Sequence, residues 1–336
     1  MAGSGTAHLR NGDALLRAEH LVVEFPAGRR GRVHAVSDVS LDVFPGETLG
    51  LVGESGCGKS TTGRAIMQLP APTAGSVWFE GRDLTGLSGD ALRRTRTRLQ
   101  MIFQDPISSL NPRRRVRDIL TEPLAIWGLG TPAERRRRVA EVMEAVGLDA
   151  DTAGDRRPHE FSGGQCQRIS IARALMLEPR LVICDEPVSA LDVSVQAQIL
   201  NLLKDMKARY GLTLVFIAHD LAVVRNVSDR VAVMYLGKLC EVAPADDLYR
   251  APAHPYTMTL LASVPVPDPG VRPDLSADDV DVELPSPLAP PSGCRFHTRC
   301  PRAEAICAER EPEMREVAGG HFAACHFPLE PHTHPA

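Results

Sequence analysis

Hydrophobic and polar residues alternate with the period of a β-strand in several segments of the first 110 residues. In residues 35–43, Val39, Leu41 and Val43 occupy every second position, which predicts a strand with one buried face. The same reasoning predicts three further strands, over residues 14–25, 76–81 and 99–104. The apolar run 49–52 is followed by a glycine-rich stretch and a helical segment, so a strand, turn and helix are expected there.

Between residues 107 and 160 the apolar residues recur at helical spacing, which predicts a small helical insertion. Its two apolar stripes are Val116, Ile119, Leu120 and Leu124, and then Val139, Val142, Met143 and Val146. After the insertion, helices are predicted over 165–177 and 194–210, and strands over 181–184, 212–218 and 231–234. Strands separated by helices in this way predict an α/β fold with a mostly parallel sheet covered on both faces.

The composition excludes several classes of protein. Hydrophobic residues make up 43% and charged residues 24% of the 336 positions, as in globular proteins of two or three compact units. A formal net charge of −4 gives no general attraction to nucleic acid. No run approaches the ~18 apolar residues that a membrane span requires, and the first residues lack the apolar core of a signal peptide. A cytosolic chain with reduced thiols is therefore expected.

Residues 53–60, GESGCGKS, match the phosphate-loop pattern G-x-x-x-x-G-K-[ST] between a predicted strand and a predicted helix. Glycines allow backbone N–H groups to close around a phosphate, and the helix N-terminus adds a favourable dipole. Lys59 is expected to reach the β- and γ-phosphates of ATP, and the Ser60 hydroxyl to bind Mg²⁺. The candidate nucleotide-binding residues of this segment are Gly53, Glu54, Ser55, Gly56, Cys57, Gly58, Lys59, Ser60 and Thr61.

Two adjacent acids, Asp185 and Glu186, end the apolar run 181–184, at the strand end where α/β sheets bind ligands. Their mutual repulsion has to be offset by a cation or a function. Asp185 is expected to hold Mg²⁺ through water and Glu186 to orient the attacking water, which favours hydrolysis over binding alone. Gln104 and His219 end two other predicted strands, as candidates for contact with the metal or water and with the γ-phosphate.

Residues 161–165, FSGGQ, directly precede a predicted helix ahead of the acidic pair. With the motifs above, this sequence resembles the signature of ABC-type ATPases. The resemblance implies that Ser162, Gly163, Gly164 and Gln165 face the phosphate loop of a second subunit, so that two ATP molecules are held between two subunits. It also implies four single roles, namely Gln104 as Q-loop residue, Asp192 in the D-loop, His219 as switch histidine and Phe25 stacking on adenine, although Phe25 is equally a candidate core residue.

Residues 103–113, 185–203 and 254–269 resemble the ATPase subunits of oligopeptide and dipeptide importers, and the first two segments resemble the F-type subunit more than its D-type partner. The resemblance implies an ABC ATPase with a RecA-like phosphate-loop core, an antiparallel β subdomain, an inserted α-helical subdomain and a small cysteine-rich C-terminal extension. The nucleotide-binding domain is expected at 14–250, with its helical insertion over about 107–165. The extension is expected at 251–336, and it includes a proline-rich arm over 264–292.

The function implied is ATP-driven import of di- or oligopeptides at the cytoplasmic face of the cell membrane. The partners implied are a D-type ATPase subunit, two transmembrane permease subunits and an extracytoplasmic peptide-binding protein, with no nucleic acid. A related importer for nickel or another solute is an alternative, because such systems leave substrate selection to the binding protein. A soluble ABC ATPase or an ATP-sensing regulator is less favoured, since the chain has one phosphate loop and an intact acidic pair.

Four of the eight cysteines, Cys294, Cys300, Cys307 and Cys325, lie within residues 293–327. They contain no C-x-x-C pair, so their spacing does not identify a standard zinc ribbon. Four thiols in a reducing compartment suit a soft metal, either zinc or an iron–sulfur cluster, and free thiols are the third possibility. His297, His321 and His326 are alternative zinc ligands. The resemblance implies a [4Fe–4S] cluster.

Overall fold

The computed structural model describes residues 5–28, 31–263 and 284–330. Most of the predicted proline-rich arm, residues 264–283, lies outside the described residues. The chain forms two compact units. The first comprises the described parts of Met1–Asp42, Gly50–Thr85 and His219–Ala336, and the second comprises Val43–Leu49 and Gly86–Ala218. No helix within the described ranges is long and apolar enough to cross a membrane.

The first unit contains a four-stranded sheet in the order β2-β1-β4-β5. Its strands are β1 (Leu16–Pro26), β2 (Arg32–Val43), β4 (Ala74–Phe79) and β5 (Arg82–Asp83). β1 runs antiparallel to β4, and β4 runs antiparallel to β5. Leu16, Ala18, Leu21 and Val23 of β1 are buried while the residues between them are not, so one face of the strand supplies core.

A second antiparallel group in the first unit joins the C-terminal extension to the rest of the unit. Its order is β11-β12-β10-β9, with β9 (Arg230–Tyr235), β10 (Lys238–Pro244), β11 (Arg315–Ala318) and β12 (His321–Ala323). β10 pairs with β9 on one side and with β12 on the other. The helices of this unit are α1 (Lys59–Ile66), α8 (Leu221–Arg225), α9 (Ala245–Arg250), α10 (Pro255–Ala262) and α11 (Ala305–Glu309).

The second unit is built on parallel strands in the order β8-β7-β6, namely β6 (Leu99–Ile102), β7 (Leu181–Asp185) and β8 (Thr213–Ala218). Every residue of β7 and β8 is buried, which explains their continuous apolar sequences. The helices here are α2 (Gly89–Arg98), α3 (Val116–Ile126), α4 (Pro132–Ala145), α5 (Ala150–Ala153), α6 (Gly163–Leu175) and α7 (Val193–Tyr210). β3 (Thr48–Val52) begins in the second unit and ends in the first.

The predicted helical insertion is confirmed in α3 and α4, whose predicted apolar stripes are buried. Thr131 starts α4 with a capping box, in which its hydroxyl accepts from Glu134 N at 3.3 Å and its own N–H donates to Glu134 at 2.7 Å. Gly147 follows the helix at φ 74°, a left-handed conformation that suits glycine. The expectation of a mostly parallel sheet holds for β6, β7 and β8, whereas β9, β10, β11 and β12 pair antiparallel.

A buried carboxylate in β10 connects three distant segments of the first unit. Glu241 is fully buried and accepts hydrogen bonds from the backbone N–H groups of Ala253 and His254, both at 2.8 Å. The ring of His321, in β12, donates a third hydrogen bond to Glu241 at 2.6 Å. A carboxylate so deep in the protein is tolerated because several donors replace its lost hydration.

Replacing Glu241 with Gln should destabilise the protein by about 2–3 kcal/mol, because an amide cannot accept from all three donors. Urea unfolding followed by circular dichroism measures this as a lower midpoint. The exposed Glu309 offers a matched control, and Glu309→Gln should leave the midpoint unchanged. Equal midpoints for the two variants would contradict the role assigned to the buried carboxylate.

Candidate nucleotide site and cysteine cluster

The phosphate loop of the first unit leaves β3 at Val52 and enters α1 at Lys59. Gly53 has φ 151°, and a Cβ there would lie 2.0 Å from the carbonyl oxygen of Met234. Gly58 has φ 104°, and a Cβ there would lie 2.1 Å from the carbonyl oxygen of Ala35. Neither position can accept a side chain, so the two glycines of the pattern are required by packing as well as by conformation.

Lys59 turns its ammonium group back into the loop. The side chain is buried, and Nζ donates to the carbonyl oxygens of Gly53 at 2.7 Å and Glu54 at 2.9 Å. Gly58, the residue before α1, supplies no side chain to cap the helix. The first-turn N–H groups of α1 and the ammonium therefore offer positive charge to an anion at this loop.

Cys57, within the loop, is buried. Burial raises the pKa of its thiol, although the nearby Lys59 acts in the opposite direction. The reactive thiolate is therefore disfavoured at neutral pH. The cysteine in this phosphate loop acts as a packing residue, with its sulfur 2.8 Å from the position that a Cβ on Gly53 would take.

The second unit carries the acidic pair at the end of β7. Asp185 is fully buried, and Glu186 follows it with φ 46°, a left-handed conformation that costs a non-glycine residue roughly 1–3 kcal/mol. Glu186 N donates to Ile217 O at 3.0 Å, and Ser189 Oγ donates to Glu186 O at 3.1 Å. Gln104 Nε2 donates to a carboxylate oxygen of Glu186 at 3.0 Å. The structure thus brings Gln104 and Glu186 into direct contact, 82 residues apart in sequence.

Ser162 and Gln165 form a capping box at the start of α6. Ser162 Oγ accepts from Gln165 N at 3.3 Å, and Ser162 N donates to the Gln165 side chain at 3.0 Å. A Cβ on Gly164 would lie 2.5 Å from Val195 in α7, which keeps this position small. The SGGQ sequence therefore has a local structural role, whatever it contacts in an assembly.

Three other predicted residues lie at the ends of elements. Asp192 caps α7, where its carboxylate accepts from Ser194 Oγ at 2.7 Å and Val195 N at 3.0 Å. These hydrogen bonds, that from Ser194 first, lower the pKa of Asp192. His219 is exposed directly after β8, and Phe25 is 37% exposed near the end of β1. The exposure of Phe25 favours a surface role over the core position that was its alternative.

The four C-terminal cysteines, Cys294, Cys300, Cys307 and Cys325, line one small cavity in the first unit, together with His297 and His326. Burial raises the pKa of Cys294 to about 12 and of Cys325 to about 11. No group of three or more His, Cys, Asp or Glu side chains in residues 5–28, 31–263 and 284–330 is arranged to hold a metal ion. The donor set nevertheless fits a soft metal chemically, because the four cysteines, of which Cys307 is buried and the other three are half-buried, line one common cavity.

Two contacts to the phosphate loop were not predicted from the sequence. Tyr256 Oη accepts from Glu54 N at 2.8 Å, and Arg299 donates to both carboxylate oxygens of Glu54. Both partners are more than 200 residues from Glu54 in the chain. The sequence pointed only to the segments that contain these residues: Tyr256 lies in residues 254–269, which resemble importer subunits, and Arg299 lies in the cysteine-rich segment, residues 293–327.

Two family models match the chain. The ABC transporter family matches residues 36–189, and the family of the oligopeptide/dipeptide transporter C-terminal region matches residues 240–307. The oligopeptide transport ATP-binding protein AppF of Bacillus subtilis is 53% identical over 88% of this chain and 90% of its own length. The oligopeptide transport ATP-binding protein OppF of Haemophilus influenzae is 48% identical over 94% of this chain and 97% of its own length.

The fold is also found in solved structures. An ATP-binding cassette bound to ADP and Pi, described as a dimeric post-hydrolysis state, is 29% identical with a TM-score of 0.63 over 68% of this chain and 98% of its own. The cbiO1 protein of Clostridium perfringens, part of an ABC transporter complex, is 26% identical with a TM-score of 0.63 over 71% of this chain and 91% of its own.

The fold and the sequence motifs define an ATP-binding protein of the ABC class. The match includes the C-terminal extension. The two relatives named above align over most of this chain and over most of their own length. The chain therefore belongs to the family of oligopeptide-transport ATP-binding proteins of ABC transporters.

A substitution at Ser162 can separate the helix-capping role of the signature from contact with a nucleotide. Aspartate caps helices as well as serine does, so Ser162→Asp should keep the folding stability. Its negative charge should lower ATP hydrolysis by the assembled transporter at least about tenfold if Ser162 faces a phosphate. Thr131→Asp, at the capping box of α4, is the matched control and should keep full activity. Full activity of Ser162→Asp would show that this serine acts only as a cap.

Proposed function

We propose that this chain is the ATP-hydrolysing subunit that powers the import of di- or oligopeptides through a membrane ABC transporter. The observation that carries the proposal is the Gln104–Glu186 contact at the end of a buried strand, in a chain that also has a complete phosphate loop. Peptides are favoured over nickel or another solute because the match to the oligopeptide/dipeptide transporter C-terminal region spans 240–307. The relatives AppF and OppF carry the same transport function in their names.

Nucleotide binding is assigned to the phosphate loop. Lys59 would exchange its two carbonyl partners for the β- and γ-phosphate oxygens, while the first-turn N–H groups of α1 hold the phosphates. Ser60, Asp185 and Gln104 would hold Mg²⁺, which would supply positive charge to neutralise the phosphates. The remaining residues assigned to the nucleotide site are Gly53, Glu54, Ser55, Gly56, Cys57, Gly58 and Thr61, with Glu54 taking part through its backbone and Phe25 stacking on adenine.

Hydrolysis is assigned to Glu186 and its neighbours. The strained backbone and the Gln104 hydrogen bond hold the Glu186 carboxylate in one orientation, which a residue that orients and deprotonates water requires. His219 would contact the γ-phosphate and stabilise its charge as the bond to the leaving group breaks. The protein contributes mainly position and electrostatic stabilisation to such a reaction.

Replacing Glu186 with Gln should reduce ATP turnover by about 100-fold or more, since it removes the group that accepts a proton from water. ATP binding should persist, because the amide keeps the size of the side chain and a hydrogen bond with Gln104. Turnover is measured in the assembled transporter, and binding is measured with the purified chain. Lys59→Ala is the comparison variant, which should lose binding as well as turnover. Unchanged turnover of Glu186→Gln would refute the hydrolysis assignment.

The assembly proposed is a heterodimer of two ABC ATPase subunits on the cytoplasmic face of the membrane. This chain takes the F-type position beside a D-type subunit, with Ser162, Gly163, Gly164, Gln165 and Asp192 facing the partner's nucleotide. Two permease subunits and an extracytoplasmic peptide-binding protein complete the importer. The proposal is supported by the resemblance of 103–113 and 185–203 to F-type sequences and by the dimeric state described for a cassette of the same fold.

We further propose that Cys294, Cys300, Cys307 and Cys325 hold a [4Fe–4S] cluster, with zinc as the alternative. Support comes from the common cavity and from the donor type, because four thiolates suit both groups. Thiolates are the ligand form for either group, so binding would release thiol protons to solvent and would weaken as the pH falls.

Anaerobically purified wild-type protein should contain iron and show the visible absorbance of an iron–sulfur cluster. Cys300→Ser should lose this absorbance, because serine is a poor ligand for the soft metal. Cys166→Ser, a change at a buried cysteine of the second unit, should keep it. A colourless wild-type protein with one equivalent of zinc would decide for the alternative metal.

A further inference from the structure

The cysteine-rich segment contacts the phosphate loop through the side chain of Arg299. This residue lies beside Cys300, and its two terminal nitrogens donate to the two carboxylate oxygens of Glu54 at 2.7 and 3.0 Å. Both side chains are about one-fifth exposed. The pair is bidentate and largely shielded, so it is stronger than an ordinary surface ion pair.

Arg299 is itself held in place by aromatic rings. Its guanidinium lies 5.8 Å from the ring centre of Tyr235 and 5.9 Å from that of Phe296. Those two rings are 5.3 Å apart, and each also packs against Tyr256. Tyr235, Tyr256 and Phe296 are fully buried. The aromatic rings beside Arg299 are therefore part of the core and leave its side chain little freedom.

The backbone of Glu54 is held by one of these rings, that of Tyr256. Glu54 N donates to Tyr256 Oη at 2.8 Å. Glu54 is thus fixed by its main chain to Tyr256 and by its side chain to Arg299. Its carbonyl oxygen accepts from Lys59, the lysine assigned to the phosphates. A shift of Glu54 would therefore move a direct partner of that lysine.

We propose that Arg299 is a positioning residue of the nucleotide site, through which the C-terminal extension keeps the Glu54 carboxylate neutralised and turned away from the bound phosphates. The inference rests on the proposed function, in that it requires the loop to bind ATP. Without Arg299, a free carboxylate at the second position of the loop would repel the triphosphate. ATP affinity would fall, while the hydrolytic groups at the end of β7 would be unaffected.

The charge argument makes opposite predictions for the two partners. Arg299→Gln should weaken ATP binding and raise the KM for ATP by about tenfold, with kcat changed less than twofold. Glu54→Gln should bind ATP about threefold more tightly, because it removes the repelling charge and leaves Arg299 in place. The double variant Arg299→Gln with Glu54→Gln should recover most of the lost affinity.

The test measures ATP binding to each purified full-length variant by calorimetry with Mg²⁺, and KM and kcat in the assembled transporter. Arg302→Gln is the matched control, since Arg302 is exposed in the same segment, and it should bind ATP like wild type. Metal content and circular dichroism report whether a variant has disturbed the cysteines or the fold. If Arg299→Gln does not fold, Glu54→Gln still decides the question.

Wild-type affinity in Arg299→Gln, or no recovery in the double variant, would overturn the inference while leaving the proposed function intact. Weaker ATP binding by Glu54→Gln would overturn it as well, because the carboxylate would then be contributing to ATP binding rather than opposing it. Failure of the wild-type chain to bind ATP, with Lys59→Ala indistinguishable from it, would overturn the proposed function itself.

Discussion

The interaction on which the nucleotide site depends is the solvation of the buried Lys59 ammonium by its own loop. An ammonium removed from water is costly unless hydrogen-bond acceptors replace its hydration, and the carbonyl groups of Gly53 and Glu54 do so. This requires a tight loop, and a tight loop requires glycine where Met234 and Ala35 approach the backbone. In the proposed function, the Lys59 ammonium held in this way would exchange the carbonyl oxygens for phosphate oxygens.

Glu186 and Gln104 in the second unit, to which hydrolysis is assigned in the proposed function, follow a different principle. The backbone of Glu186 has a left-handed conformation that is unfavourable for a non-glycine residue. Hydrogen bonds with Ile217, Ser189 and Gln104 hold it there. The folded structure thereby limits the orientations that the Glu186 carboxylate can take. A water-orienting group gains from such restriction, because orientation achieved during folding need not be achieved again in each catalytic cycle.

Much of the fold was predictable because its signals are local in sequence. The phosphate loop, β7 with its acids, and the apolar stripes of α3 and α4 each appear within one short segment. α2 was not predicted, since none of its residues is buried and no apolar stripe marks it. β10, β11 and β12 were missed because they are defined by pairing over long distances in the chain. Arg299 was missed for the same reason, since its partner Glu54 lies 245 residues away.

The pairing of β10 with β12 has a consequence for how the chain folds as it is synthesised. All residues of the second unit precede residue 219, so this unit can fold while the rest of the chain is still being made. The first unit holds β1 at its beginning and β12 near its end, and Glu241 receives its third hydrogen bond only from His321. Its core therefore closes only after β12 has left the ribosome. Until Tyr256 and Arg299 have been made, the phosphate loop lacks their support.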